Sequence, residues 1–431
     1  MEKSPSWSRA HDWKSCRPLK GLEGSNPSFS ATLEQAFCAC SNFFILRCGL
    51  SPSGFRALVF PGSYGIIGAV SARPDTGHRR LPAGAESKSK RGICVKALAF
   101  GEILLRLKAP GKERLFQTPV LEATFGGSEA NVAVSLANFG VSAGVVTVLP
   151  DNAIGRACLA ELRCFGLDVS QVRLAAGRMG TYYLEEGANQ LPAKVLYDRD
   201  GSAIALAPPA SIDWEQVLDG VDWFHVSGIT PAVSQNTLEM TRQAIQEAKA
   251  RGITVSFDYN YRENLWKYGV QAEEALRPLS EQADVLFASE YDLMRTFGLP
   301  RPDAGSRSEC CRILARQVLD RCPSVRVIAT TLRTTHSAED NTWTACLHDR
   351  QGFYHAKTYP IRHIVDRIGA GDAFAGGLIY GLDHYQDGRQ ALEFATAAAC
   401  LKHSIPGDIN RVSAETVEEL MAGEENARIR R

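Results

Sequence analysis

From residue 95 onward the sequence predicts an α/β domain, a parallel sheet with helices on both faces. Three observations carry this. Short β-branched and apolar runs alternate with amphipathic stretches of helical length. Glycines close those stretches, at Gly140, Gly166 and Gly252. One pair of β-type runs, residues 181–184 and 194–197, breaks the alternation and reads as a hairpin outside the main sheet.

The elements follow in order. Residues 96–107 read as one strand. Gly126-Gly127 interrupts the chain, and residues 129–139 have a helical apolar period ending at Gly140. Residues 145–149 form an apolar strand, and residues 153–165 a helix closed by Gly166. After the hairpin, residues 223–226 are a strand. Ser234 caps a helix that runs to Arg251, and Gly252 stops it. Further strands are expected at 254–259, 284–289 and 325–331, with a helix at 309–321 before the last. In such sheets ligands bind beyond the C-terminal strand ends. Polar residues cluster there: Asn260 and Arg262, Ser289 and Glu290, and Thr330, Thr331 and Arg333. The hairpin has no place in a parallel sheet, so it is a candidate lid.

Composition narrows the function classes. The chain has 431 residues, 45% apolar and 22% charged, and no run of 18 uninterrupted apolar residues, so no transmembrane helix is predicted. Its net charge of zero conceals a division. Residues 1–95 hold 13 Lys and Arg against 6 Asp and Glu, and the rest carries a net of −7. A module that acidic is a poor binder of nucleic acid. The 12 cysteines are scattered, and neither Cys310-Cys311 nor Cys38 and Cys40 has zinc-site spacing. They read as idle thiols in a reducing compartment, which with the missing membrane segment predicts a cytoplasmic protein.

Residues 1–94 show no sustained period, and their acidic residues speak against a transit peptide. Gly24-Ser25-Asn26-Pro27 is what the T-arm of a transfer RNA gene encodes when translated. No Met occurs between Met1 and Met179, and Val95 fits an initiating GTG codon. The expectation is that residues 1–94 are translated upstream sequence, disordered if made, and that 95–425 is the working domain.

Two segments carry chemistry. In Gly369-Ala370-Gly371-Asp372 small residues let backbone N–H groups converge where a helix begins, which suits an anionic group in transfer. Asp372, in the first turn, can accept a hydroxyl proton. The bland alternative is a tight turn with Asp372 as a cap. In Gly126-Gly127-Ser128-Glu129-Ala130-Asn131 the glycines admit a ligand close to backbone, and Asn131 can donate and accept; alone, this reads as a turn before a helix.

Together these segments resemble the two signatures of the PfkB, ribokinase-like, sugar kinases. The glycine pair with Asn131, Gly140 and Gly155 is similar to the first. Residues 366–379 are similar to the second, with Arg367 where a Pro, Ser, Thr or Val is usual. The resemblance spans about 95–420. It implies a three-layer α/β/α domain with a small β-sheet lid drawn from about 102–125 and 180–207. It also implies ATP-dependent phosphorylation of an alcohol, with Asp372 as base and Gly369, Ala370 and Gly371 as anion hole.

Within that family the chain looks most like the 2-keto-3-deoxygluconate kinases. The matching runs are 99–107, 225–231 and 258–266. A carboxylate substrate needs planar cations, and by the resemblance Arg199 and Arg262 bind the acid and keto end. Tyr197 and Tyr182 or Tyr183 would reach sugar oxygens, and Gly126 and Gly127 would bring backbone to the sugar. On the nucleotide side the resemblance points to Ser289, Thr330, Arg333, Gly369 and Gly371, with adenine near 398–408. Glu290 is the candidate contact to Mg2+, through water. A monovalent-cation requirement stays open. So does the alcohol: fructose, ribose, tagatose phosphate and a deoxy-keto inositol product are alternatives, as is a sugar-binding regulator without catalysis. The exposed edges of a lid hairpin predict a homo-oligomer.

Overall fold

The computed structural model describes residues 95–423. The expectation for residues 1–94 lies outside them. The strands are β1 (Lys96–Phe100), β2 (Leu104–Lys108), β3 (Glu122–Gly126), β4 (Ser142–Pro150), β5 (Val172–Ala175), β6 (Thr181–Glu185) and β7 (Lys194–Asp198), then β8 (Trp223–Ser227), β9 (Thr254–Asp258), β10 (Val285–Phe287), β11 (Val327–Thr335), β12 (Asn341–Asp349), β13 (Phe353–His355) and β14 (Tyr359–Ile361). The helices are α1 (Ser128–Asn138), α2 (Ala153–Cys164), α3 (Ala203–Leu206), α4 (Trp214–Val217), α5 (Thr230–Val233) and α6 (Gln235–Ala250), then α7 (Ala272–Ser280), α8 (Glu290–Phe297), α9 (Arg307–Arg321), α10 (Ala370–His384), α11 (Gly388–Lys402) and α12 (Ala414–Met421).

The large sheet runs β13-β12-β11-β10-β9-β8-β1-β4-β5, with β14 on β12. From β5 to β11 every pairing is parallel, and β12 to β14 add an antiparallel edge. Alternation along β1 shows why helices cover both faces. Ala97 and Ala99 enter one core with α1, α10 and α11, whereas Leu98 and Phe100 enter the other with α6, α7 and α9. Three layers result, as expected. Gly140, Gly166 and Gly252 all take the left-handed conformation after their helices. Ser234 caps α6 through a reciprocal bond with Thr237.

A second sheet, β3-β2-β6-β7, forms the lid. Its hairpin pairs Tyr182 with Tyr197 and Thr181 with Asp198. Two expectations need correction. Residues 96–107 are two strands in different sheets, split at Gly101. A Cβ there would lie 2.1 Å from Glu129 Oε2, so only glycine lets the chain turn out of the main sheet toward the lid. Residues 203–206, expected within the lid, form the one-turn helix α3, whose Ala203 and Ile204 are buried in the main domain.

Candidate active site

α10 begins at the strand-end side of the sheet, and Gly369 precedes it with φ at 80°. A Cβ at Gly369 would lie 1.8 Å from Asp408 O, so the position is glycine twice over. The first intrahelical bond is Ala373 N–H to Gly369 O at 2.8 Å, which leaves the amides of Ala370, Gly371 and Asp372 without a helical acceptor. A Cβ at Gly371 would meet nothing within 4 Å. Gly369, Gly371 and Asp372 line a cavity of about 780 Å³.

Asp372 is held from α1. Ser128 Oγ donates to its Oδ1 at 2.9 Å, and Asn131 Nδ2 to its Oδ2 at 2.7 Å. Burial pushes its carboxyl up to about 6. The bonds from Asn131 and Ser128 oppose that, while the charges of Asp408 and Glu129 add to it. Asn260, just past β9, donates from Nδ2 to Ser128 Oγ at 3.0 Å, so the strand end steadies the helix that holds the Asp372 carboxylate.

The glycine pair is also constrained by the protein's own packing. A Cβ on Gly127 would sit 2.3 Å from Glu102 O, and one on Gly126 2.1 Å from Asp408 Oδ2. Both line the cavity, but their small size is required by the protein's own atoms.

The expected sugar-side residues also converge on this cavity: Asn131, Tyr182, Tyr197, Arg199 and Arg262. Tyr182, and not Tyr183, faces it, because side chains alternate along β6. The Tyr182 hydroxyl is 2.7 Å from both oxygens of Asp408, so it is occupied within the protein. Its ring packs against Tyr197, centroids 5.9 Å apart. Arg199 is buried and donates from Nε to Glu102 Oε2 at 2.8 Å, with a second bond from Nη2. Its charge is therefore already matched. Arg262 donates from Nη1 to Tyr261 O at 3.0 Å. Among the described residues, no carboxylate lies within ion-pair reach of it.

On the expected nucleotide side Ser289 and Arg333 line the cavity. Thr330 does not: it is buried, and Thr331 takes the cavity-facing position one step along β11. Glu290 is also off the cavity wall, paired through Oε1 with Arg307 Nε at 2.7 Å, while its buried Oε2 has no hydrogen-bond partner. Of residues 398–408, only Asp408 reaches the cavity; Ala398, Ala399 and Lys402 are packed inside the domain. Ala370 is likewise buried and off the cavity wall. Arg333 is pushed down by burial and by the neighbouring charges of Arg367 and Arg307.

Several lining residues had not been singled out. Asp258, at the end of β9, is pushed up to about 8 by burial and then by Asp372 and Asp292. Asp292 shares the wall and forms a reciprocal capping box with Ser289. Arg367, the departure in the second signature, lines the cavity and donates to Ala338 O.

Comparison with known proteins gives a consistent picture. The family described as pfkB family carbohydrate kinase matches residues 96–415. A 2-dehydro-3-deoxygalactonokinase of Haloferax volcanii is 33% identical over 331 residues, covering 77% of this chain and 98% of that protein. A 2-dehydro-3-deoxygluconokinase of Thermoproteus tenax is 28% identical over 341 residues, covering 78% and 97%. The crystal structure of 2-dehydro-3-deoxygluconokinase from Thermotoga maritima superimposes with a TM-score of 0.73 at 42% identity, covering 77% of this chain and 99% of that one.

Proposed function

The chain belongs to the pfkB family of carbohydrate kinases, and from that premise we propose that it transfers the γ-phosphoryl group of ATP to the terminal hydroxyl of a 2-keto-3-deoxy sugar acid, 2-keto-3-deoxygluconate foremost. One observation carries the proposal. A buried carboxylate, Asp372, is raised to about 6 and oriented by Asn131 and Ser128 beside three helix amides that have no helical acceptor. A group near 6 is ionised at neutral pH yet basic enough to take a proton from an alcohol in the transition state.

The chemistry then follows. The substrate hydroxyl approaches Asp372, which accepts its proton as the oxygen bonds to the γ-phosphorus. The bond from that phosphorus to the bridging oxygen breaks, and ADP leaves. Charge on the moving phosphoryl group is met by the amides of Ala370, Gly371 and Asp372 and by the α10 N-terminus. The lid over the cavity excludes water, so that the sugar and not water is phosphorylated. Magnesium would travel with the triphosphate and neutralise its oxygens. Among the described residues there is no cluster of three metal-ligating side chains, and Glu290, the expected contact through water, lies off the cavity wall with Oε1 paired to Arg307.

Arg262 supports the sugar-acid reading. It lines the cavity with no carboxylate in direct contact, though Asp258 and Asp292 lie within its field, and planar guanidinium suits a carboxylate. The Glu102–Arg199 pair favours a second reading, a neutral sugar such as fructose or ribose, since it removes one of the two expected cations. ADP release measured against a panel of sugar acids and neutral sugars decides. Turnover of neutral sugars alone selects the second reading, and none with any sugar points to a non-catalytic sugar-binding regulator. The same reading includes self-association through the lid, where Phe116 and Leu196 are 73% and 56% exposed. No described helix is long and apolar enough to cross a membrane.

A further inference from the structure

Arg106 lies on the lid strand β2, yet it is only 2% exposed. Its terminal nitrogens serve two different carboxylates: Nη1 donates to Asp408 Oδ1 at 2.5 Å, and Nη2 donates to Asp366 Oδ2. Both acids are buried. Asp366 also binds main chain on two segments. Its Oδ1 accepts from Ile368 N–H at 3.0 Å and its Oδ2 from Gly407 N–H at 3.1 Å. Asp408 takes a further bond from Tyr182 of β6, the neighbouring lid strand, at 2.7 Å. Its main-chain oxygen lies against Gly369, at the start of α10.

The two carboxylates therefore brace the segment that opens α10. Asp366 grips the turn from within, at Ile368, and Asp408 backs Gly369 from beneath. Two buried anions this close to one another need a cation between them. A guanidinium fork reaches both at once through two nitrogens held in one plane, whereas an ammonium offers a single point of charge without that fixed spread. Lys402, also fully buried, is spent on Ile405 O at 3.1 Å and does not bridge them.

We propose that Arg106 is a positioning residue for phosphoryl transfer. It holds Asp366 and Asp408 together and so fixes the amides that open α10. Because it sits on a lid strand, those amides keep their arrangement only while the base of the lid is seated. Arg106 does not line the cavity and touches no substrate. The inference rests on the reading of the α10 start as an anion hole.

The test uses Arg106→Ala and Arg106→Lys in the full chain, with two readouts: ADP release, and amide hydrogen exchange over residues 369–373 by mass spectrometry. The expected kcat loss in Arg106→Ala is about 100-fold or more, with the sugar KM within about three-fold, since positioning and not binding is lost. Exchange over 369–373 should quicken well below the melting temperature. Added ethylguanidinium should restore part of the Arg106→Ala rate, while Arg106→Lys should stay slow. A folded Arg106→Ala that turns over within about three-fold of the parent overturns the proposal. Unchanged exchange at 369–373 overturns it equally. If Arg106→Ala does not fold, Asp366→Asn keeps the shape, removes one anion and should give the same kcat and exchange pattern; a normal pattern there rejects the idea. A parent enzyme that releases no ADP would reject the kinase reading, and the exchange measurement would still decide the role of Arg106.

Discussion

Asn131 Nδ2 donates to Asp372 Oδ2 at 2.7 Å, which ties the first glycine-rich segment to the carboxylate of the second across 241 residues of chain. This bond favours the ionised carboxylate and works against the burial that raises it to about 6. Removing it in Asn131→Ala should raise the carboxyl further. The acidic limb of the kcat/KM profile, which falls as pH drops below about 6 in the parent, should then move upward by roughly one pH unit or more. That follows from about 1.5–3 kcal/mol for a hydrogen bond to a charged group against about 1.36 kcal/mol per pH unit. A pH–rate profile whose acidic limb stays in place would detach Asn131 from the base.

Asp372→Asn should keep the shape of the site and lose the proton acceptor. Proton transfer by a positioned side chain contributes about 100- to 10,000-fold, so kcat should fall within that range while sugar binding, read by calorimetry, changes little. Near-normal turnover would reject Asp372 as base.

The two cavity arginines should separate cleanly. Arg262 has no carboxylate in direct contact, so Arg262→Ala or Arg262→Lys should lower kcat/KM for a sugar acid by roughly 10- to 100-fold, as expected for a lost charge-assisted pair, and leave a neutral sugar nearly untouched. Arg199 is buried against Glu102, so Arg199→Met strands a buried carboxylate. Its main effect should be on stability, about 3–5 kcal/mol, read by denaturant unfolding. Equal loss of selectivity from both variants would return Arg199 to the acid-binding role.

Much of this site was legible because its signals are local. Gly369-Ala370-Gly371-Asp372 marks a helix start within four residues, and the hairpin of β6 and β7 is announced by its own alternation. What escaped is non-local. Arg106 finds its partners 260 and 302 residues away, and nothing near Leu104 or Leu107 announces them. The break at Gly101 depends on the side chain of Glu129, and the choice of Thr331 over Thr330 on a one-residue register. The family resemblance points to Arg199 and to Tyr182 or Tyr183, but the choice of Tyr182 and the hydrogen-bond partners, Asp408 and Glu102, become visible only once the lid sheet is docked.

Asp258 offers a test of the buried carboxylates that is independent of turnover. Burial, then the charges of Asp372 and Asp292, push it up to about 8, against about 3.9 in an unfolded chain. The sign is fixed by proton counting. Between about pH 4 and 8 the unfolded chain has released this proton and the folded chain retains it, so rising pH across that window favours unfolding. Above about 8 the cost is complete, because the folded protein then carries the buried charge. Asp258→Asn has no proton to lose and avoids the cost. The variant should therefore match the parent near pH 4 and gain on it steadily to pH 8 or 9, by an amount on the order of a few kcal/mol. Denaturant unfolding of both proteins across this pH range measures the gap directly. A gap that stays flat, or that widens toward acid, would show that Asp258 is ionised in the folded protein at neutral pH.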